Sequence, residues 1–395
     1  MDLFKKCKAT VEAVERAKSI DIYPYFTPIE SAQDHRVLIN GKEYIMIGSN
    51  GYLGLAADER LKQAAIEAIK KYGSTCSGSR FLNGTLDIHI KLEKELAQFF
   101  EKEGAIVFST GFQTNLGIIS AIAGKDDVII IDRQDHASII DGCRLSFAEV
   151  KKFKHNDMAD LERILKSIPH NKGKLLVVDG VFSMEGDVIN LPEVVELKKK
   201  YNAKLLVDDA HGIGVMGEKG RGVCEHFHLL DEVDIIMGTF SKSFASLGGF
   251  VVSEKDVITH IRHTARALIF SASMTPAMVA SVLKSLEIIK NEPERRERLW
   301  NITKRVMSGF KKIGLDTGNS TTPVIPVIIG EDEKCFAFWK ALFENGVFAN
   351  PVISPATPPG RALIRTSYMA THTDEDISTV LDVFAMCAKE FGLVK

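Results

Sequence analysis

The chain has no long apolar run, no block of like charge and no paired cysteines. No apolar stretch approaches the roughly 20 residues needed to cross a bilayer, so no membrane-spanning helix is expected. The first residues, MDLFKKCKATVEAVERAKSI, lack a continuous apolar segment and are not expected to act as a secretory signal. Fifty basic and 52 acidic residues leave a net charge of −2, which argues against nucleic-acid binding through a broad basic face. The six cysteines (Cys7, Cys76, Cys143, Cys224, Cys335 and Cys387) are scattered, without a CxxC pair. That spacing speaks against a zinc site or a disulfide framework, so no metal is expected, and it fits a reducing cytoplasm.

What is present is ordinary for a soluble globular protein of one large domain or two: 395 residues, 45% hydrophobic and 26% charged. Near the N-terminus, Leu3, Phe4, Cys7, Val11, Val14 and Ala17 recur every three or four positions. This is one stripe of an amphipathic helix, read as an arm that packs on its own protein or on a dimer mate, with membrane contact at most peripheral.

Short β-branched runs follow at Ala105–Phe108, Val128–Ile131, Leu175–Val178, Leu205–Val207, Ile235–Met237 and Phe250–Val252. Helical patterns such as Leu191–Tyr201 lie between some of them. Such runs read as strands buried on both faces of a mostly parallel α/β sheet flanked by helices. A charged helical region, Ser281 to Phe310, leads to strands at Val324–Ile329 and Ala362–Thr366 and helices at Glu333–Phe343 and Asp374–Phe391. The expected organisation is an N-terminal helix and connecting segment (1–60, with Tyr25 to Leu55 as connection), a large domain (61–285) and a small C-terminal α+β domain (286–395).

Polar residues gather where the predicted strands end, which is where open α/β sheets bind ligands. Ser109-Thr110-Gly111-Phe112-Gln113 follows the first run; Asp132, Asp135 and His136 follow the second. Asp179, Phe182, Ser183 and Glu185 follow the third, and Asp208, Asp209 and His211 the fourth. The fifth leads into GTFSKSFASLGGF, in which Lys242 is the lone charge among small and hydroxylated residues. A single polar residue at a strand end means little, but five consecutive ends with usable groups point to a site.

Gly212-Ile213-Gly214-Val215-Met216-Gly217 also matches the dinucleotide fingerprint GxGxxG. That fingerprint should open a helix, whereas MGEKGRGVCEH follows here, so nicotinamide or flavin binding is not expected.

Pyridoxal phosphate (PLP) makes four demands that these residues meet. Lys242 can form a Schiff base with the aldehyde. A buried carboxylate, Asp208 or Asp209, can keep the ring nitrogen protonated; alternation along a strand lets only one of them reach the ring. His211 and Ser183 can donate to the phenolic oxygen. Gly111, Phe112, Thr239 and Ser241 offer amides and hydroxyls to the phosphate, and His136 can lie on the ring face.

At these residues the sequence resembles the α-oxoamine synthase family of fold-type I PLP-dependent transferases. The motifs are SNGYLGL (49–55), FSTGFQTN (108–115), DHASIIDG (135–142), DGVFSMEGD (179–187), VDDAHGIGVMG (207–217), GTFSK (238–242), FSASMTP (270–276) and IRTSYMATHT (364–373). Sister enzymes carry a Thr-Leu-Gly-Lys lysine motif. The Thr-Phe-Ser-Lys form here, with SRFLNGT (79–85), is most similar to the family's bacterial, serine-using, long-chain branch.

The resemblance implies that Lys242 binds the aldehyde and acts as acid and base, that His136 stacks on the ring and orients the substrate carboxylate, and that Asp208 rather than Asp209 pairs with the ring nitrogen. It implies that His211 and Ser183 meet the phenolic oxygen and that Gly111, Phe112, Thr239 and Ser241 hold the phosphate. Ser271 and Ala272 would reach the phosphate of a neighbouring subunit in a homodimer with shared sites. Arg365, with Asn50 nearby, would bind the substrate carboxylate. The implied reaction is a decarboxylative condensation of L-serine with a long-chain acyl-CoA in the cytoplasm or at the periphery of the inner membrane. Competing readings are a sister synthase, such as glycine C-acetyltransferase or 8-amino-7-oxononanoate synthase, and a non-catalytic partner subunit.

Overall fold

The computed structural model describes residues 2–394. They divide into two compact units: Asn50–Trp300, and the chain up to Ser49 together with Asn301 onward.

The second of these begins at the N-terminus with a short 3-10 turn, Leu3–Lys6, and the helix Cys7–Ser19. The apolar stripe expected there forms a helix, but neither element has a buried residue, and Leu3, Phe4 and Val11 are exposed. The stretch expected to be a mere connection instead carries the hairpin β1 (Arg36–Ile39) and β2 (Lys42–Met46). Only part of each strand is buried, so neither shows a continuous apolar run.

The large unit is built on seven strands: β3 (Gly104–Phe108), β4 (Asp127–Asp132), β5 (Glu149–Phe153), β6 (Gly173–Asp179), β7 (Lys204–Asp208), β8 (Ile235–Thr239) and β9 (Gly249–Ser253). Their order is β3-β9-β8-β7-β6-β4-β5. The run from β8 to β5 is parallel, and β9 is antiparallel to both its neighbours. The central strands are buried along nearly their whole length because helices cover both faces. Ile129, Ile131, Val177, Leu206, Met237 and Val251 pack with Phe108, Ile118 and Ile139 in one core. Each such side chain contributes about 1.5–3 kcal/mol relative to exposure.

Strand order reverses direction between β4 and β6, since β5 lies outside β4 while β6 to β8 continue the other way. This is a topological switch point, and it faces the crevice where ligands bind in such sheets. The charged helical region is two helices, Pro276–Asn291 and Pro293–Ile313, because a proline cannot continue the first. No described helix is long and apolar enough to cross a membrane.

In the other unit, β10 (Val324–Gly330), β13 (Ala362–Ser367) and β12 (Asn350–Val352) form an antiparallel sheet, while β11 (Val347–Phe348) joins β2 in parallel. Helices Asp332–Glu344 and Asp374–Glu390 complete it. The latter starts at a capping box, in which Thr373 and Asp376 satisfy each other's backbone N–H groups.

Candidate active site

The carboxyl ends of β4, β6, β7 and β8 and the start of helix Gly111–Ile122 enclose a cavity of about 230 Å³. Lys242, His136, Asp208, His211, Ser183, Gly111, Phe112, Thr239 and Ser241 line it, together with Thr110, Ser138, Asp179, Ala210, Met237 and Leu247.

The helix start is built for an anion. Thr110 caps it, its Oγ1 accepting the Gln113 N–H at 3.1 Å. The first helical N–H groups, at Gly111 and Phe112, have no intrahelical acceptor and sit at the positive end of the helix dipole. A Cβ at residue 111 would come within 2.7 Å of Thr239 Oγ1, so any side chain there would crowd this corner. Thr239 Oγ1 in turn lies 2.9 Å from Ser241 Oγ, putting two hydroxyls beside the amides.

Adjacent carboxylates at the end of β7 part company, as strand alternation requires. Asp208 lines the cavity; its Oδ1 accepts the Ala210 N–H at 3.1 Å and its Oδ2 accepts from Asn115 Nδ2 at 2.6 Å. Asp209 is fully buried outside the cavity lining, and its Oδ2 accepts the Val223 N–H at 2.7 Å. Burial, opposed by its backbone donors and aided by the Asp208 charge, pushes its carboxyl up to about 7.

His136 is the N-cap of helix Ala137–Ser146, and its backbone N–H donates to Asp179 Oδ2 at 2.9 Å. Asp135 receives the N–H groups of Asp179 and Asp132 at 2.9 and 2.8 Å. Burial is the main cause that pushes both Asp179 and Asp135 well above the usual carboxylate range, with neighbouring carboxylates adding to it. Burial pushes the His136 imidazole below its ordinary value, against the pull of Asp208. Further out, His155 bridges Asp132 at 3.0 Å and Asp187 at 2.9 Å. Burial alone would lower it, but those two hydrogen bonds outweigh burial and raise it to about 10.

Tyr52 is a residue the sequence did not reveal. It is fully buried, and its hydroxyl lies 2.6 Å from His211 Nδ1, bracing that ring. Asn115 and Ser138 were also missed as site residues, although the quoted motifs contain both; Asp179 was noted at its strand end but given no role. A polar amide on a helix side buried together with Ile118 and Ile119 is a readable sign for Asn115.

Four expected residues lie outside the cavity lining. Asn50 is half-buried at the start of the large unit. Ser271 Oγ accepts from Gln113 Nε2 at 3.0 Å, and Ser109 Oγ donates to the Ala272 carbonyl, so this segment runs beside the helix start of its own chain. Arg365 is buried on β13 of the other unit, paired in register with Pro326 and Asn350.

Chemically the cavity suits PLP: its lining holds an amine, a buried carboxylate, two imidazoles, the Ser183 hydroxyl, and a helix start with hydroxyls for the phosphate. The glycine corner at residue 111 and the acceptor-rich Asp208 both fit that group.

The sequence profile of the aminotransferase class I and II family matches residues 42–384. The chain is 54% identical over 375 residues to a serine palmitoyltransferase of Sphingobacterium spiritivorum, covering 94% of each chain. It is 44% identical over 384 residues to an 8-amino-7-oxononanoate synthase of Thermoanaerobacter pseudethanolicus, covering 97% of each. A solved structure described as SPT with a PLP internal aldimine superposes with a TM-score of 0.97 at 38% identity, over the full length of both chains. With such matches over nearly its whole length, the chain belongs to the aminotransferase class I and II family, in the branch that holds the serine palmitoyltransferases.

Proposed function

We propose that the protein condenses L-serine with a long-chain acyl-CoA, palmitoyl-CoA in the first instance, to give 3-ketodihydrosphingosine, CoA and CO2. The observation that carries this is the convergence of Lys242, Asp208, His136 and the Gly111 helix start on one cavity. The choice of serine and palmitoyl-CoA follows the relative at 54% identity.

When bound, PLP supplies an aldehyde for amine attachment and a protonated ring that takes up the electron pair left by proton loss. The chain's own groups do the rest. The Gly111 and Phe112 amides, with Thr239 and Ser241, would hold the phosphate. Asp208 would keep a proton on the ring nitrogen, and His211, braced by Tyr52, would donate with Ser183 to the phenolic oxygen. His136 would serve the ring face. Arg365 forks onto the serine carboxylate, a bidentate task suited to guanidinium, with His136 and Asn50 as further partners.

Lys242 Nζ takes the α-proton of serine. The α-carbon then bonds to the acyl carbonyl carbon while the C–S bond breaks and CoA leaves. The former serine carboxylate departs as CO2, and Lys242 returns a proton to the same carbon. Buried walls such as Met237 keep water from the charged carbon.

In this reading the protein works as a cytoplasmic homodimer, Ser271 and Ala272 reaching the phosphate of the neighbouring subunit. Membrane contact is at most peripheral, through the exposed N-terminal helix.

Release of CoA, measured with each amino acid against short and long acyl-CoA, tests the reading. Serine with palmitoyl-CoA should be the fastest pair. Faster turnover of glycine with acetyl-CoA, or of alanine with a mid-length acyl-CoA, would move the protein to a sister synthase.

A further inference from the structure

Behind the cavity wall, three side chains form one directed line of hydrogen bonds. Asn115 is fully buried, with Nδ2 2.6 Å from Asp208 Oδ2 and 2.8 Å from Ser138 Oγ. Ser138 Oγ lies 2.8 Å from His136 Nδ1, and the Ser138 N–H points at the same nitrogen from 3.3 Å.

Counting protons fixes the direction. An ionised Asp208 only accepts. The two Asn115 amide protons therefore go one to Asp208 and one to Ser138. Turning the amide over would set two acceptors 2.6 Å apart with no proton between them. The Ser138 hydroxyl, which accepts from Asn115, has room either to donate to His136 Nδ1 or to accept from it. The Ser138 backbone N–H decides: it donates to Nδ1 at 3.3 Å, so that nitrogen is bare, the hydroxyl proton also points to it, and the imidazole proton sits on Nε2.

A second observation agrees. Asn115 Oδ1 has no hydrogen-bond partner among the described residues. A leucine of similar size would avoid that unpaired carbonyl, so the amide is explained by its two donors, not by packing.

We propose that Asn115 and Ser138 are positioning residues that lock His136 as the neutral Nε2–H tautomer and tie its ring to the Asp208 carboxylate. The consequence for catalysis rests on the function proposed above: the ring that covers the cofactor presents one fixed donor, Nε2–H, and its proton is set from the same amide that holds the ring-nitrogen carboxylate.

Imidazole 15N spectra of the holoenzyme test this, with the His136 signals identified by their loss in His136→Asn. The wild type should show a protonated Nε2 and a bare Nδ1. Ser138→Ala should lower the Nε2–H to Nδ1–H ratio by about tenfold, the worth of one neutral hydrogen bond, and Ser138→Thr should restore it. Asn115→Leu should shift the ratio the same way by less. A wild-type His136 with its proton on Nδ1, or on both nitrogens, would overturn the proposal, as would an unchanged ratio in Ser138→Ala. The wild-type spectrum decides even if a variant fails to fold. It is also independent of turnover: an intact tautomer in a protein that ignores serine and palmitoyl-CoA would sink the functional reading alone.

Discussion

Strands β7 and β8 are neighbours in one sheet, and each runs into a segment rich in glycine. After β8, the side chains of Thr239, Ser241, Lys242 and Leu247 line the cavity. From the end of β7 onward, Asp208, Ala210 and His211 do so, but the glycines that follow are not among the lining residues. Gly214 has φ +81°, and a Cβ there would come within 2.5 Å of Ser243 Cβ. Asp209 pins the far end of this turn through the Val223 N–H. No helix opens at Gly217; the next one is the short Val223–His226. The glycines of the β8 segment are packed too: a Cβ at Gly248 would come within 2.7 Å of Met274 Sδ, and one at Gly249 would crowd Thr114 Oγ1. In both segments it is the polar side chains beside the glycines, not the glycine spacing, that mark the cavity.

The comparison breaks most sharply at the two aspartates. Asp208→Asn should cut CoA release by about 10²- to 10³-fold, the scale of losing one preorganised electrostatic partner. Asp209→Asn keeps an acceptor for Val223 and should leave the rate near that of the unaltered chain. Equal losses would mean that both carboxylates serve the cavity. Gly214→Ala comes next. Its positive φ and the close Ser243 Cβ predict a loss of about 1–3 kcal/mol in denaturant unfolding, with the cofactor's absorbance retained. An Ala variant as stable as the parent would contradict the packed reading of that turn.

A third effect concerns pH. His155, held by Asp132 and Asp187, keeps its proton up to about 10 in the folded chain against an ordinary value of 6.5. Its folded value is raised, so its contribution to stability is complete below about 6.5 and fades as pH climbs toward 10. Unfolding measured across that window should show a falling slope that His155→Gln flattens; an unchanged slope would show that His155 is not the group responsible.

Much of this was legible in the sequence because burial on both faces writes itself as runs of Ile, Val and Leu. The six expected strands of the large unit match β3, β4, β6, β7, β8 and β9 to within a residue or two at each end. β5 was missed because it is an edge strand, EVKKF, with only Phe153 buried. β11 and β12 were missed because two or three residues carry no pattern. Polar groups at strand ends were readable, since topology alone brings those ends together. The Tyr52–His211 contact and the Asn115–Ser138–His136 line were not. They join residues distant in sequence, and no local spacing records which buried hydroxyl meets which ring.

Borohydride reduction of the PLP-loaded protein followed by peptide mapping tests the central claim most directly. The cofactor's mass should appear on the peptide that contains Lys242 and vanish in Lys242→Ala. Label on another lysine, or none on a protein that binds the cofactor, would contradict the assignment of this cavity.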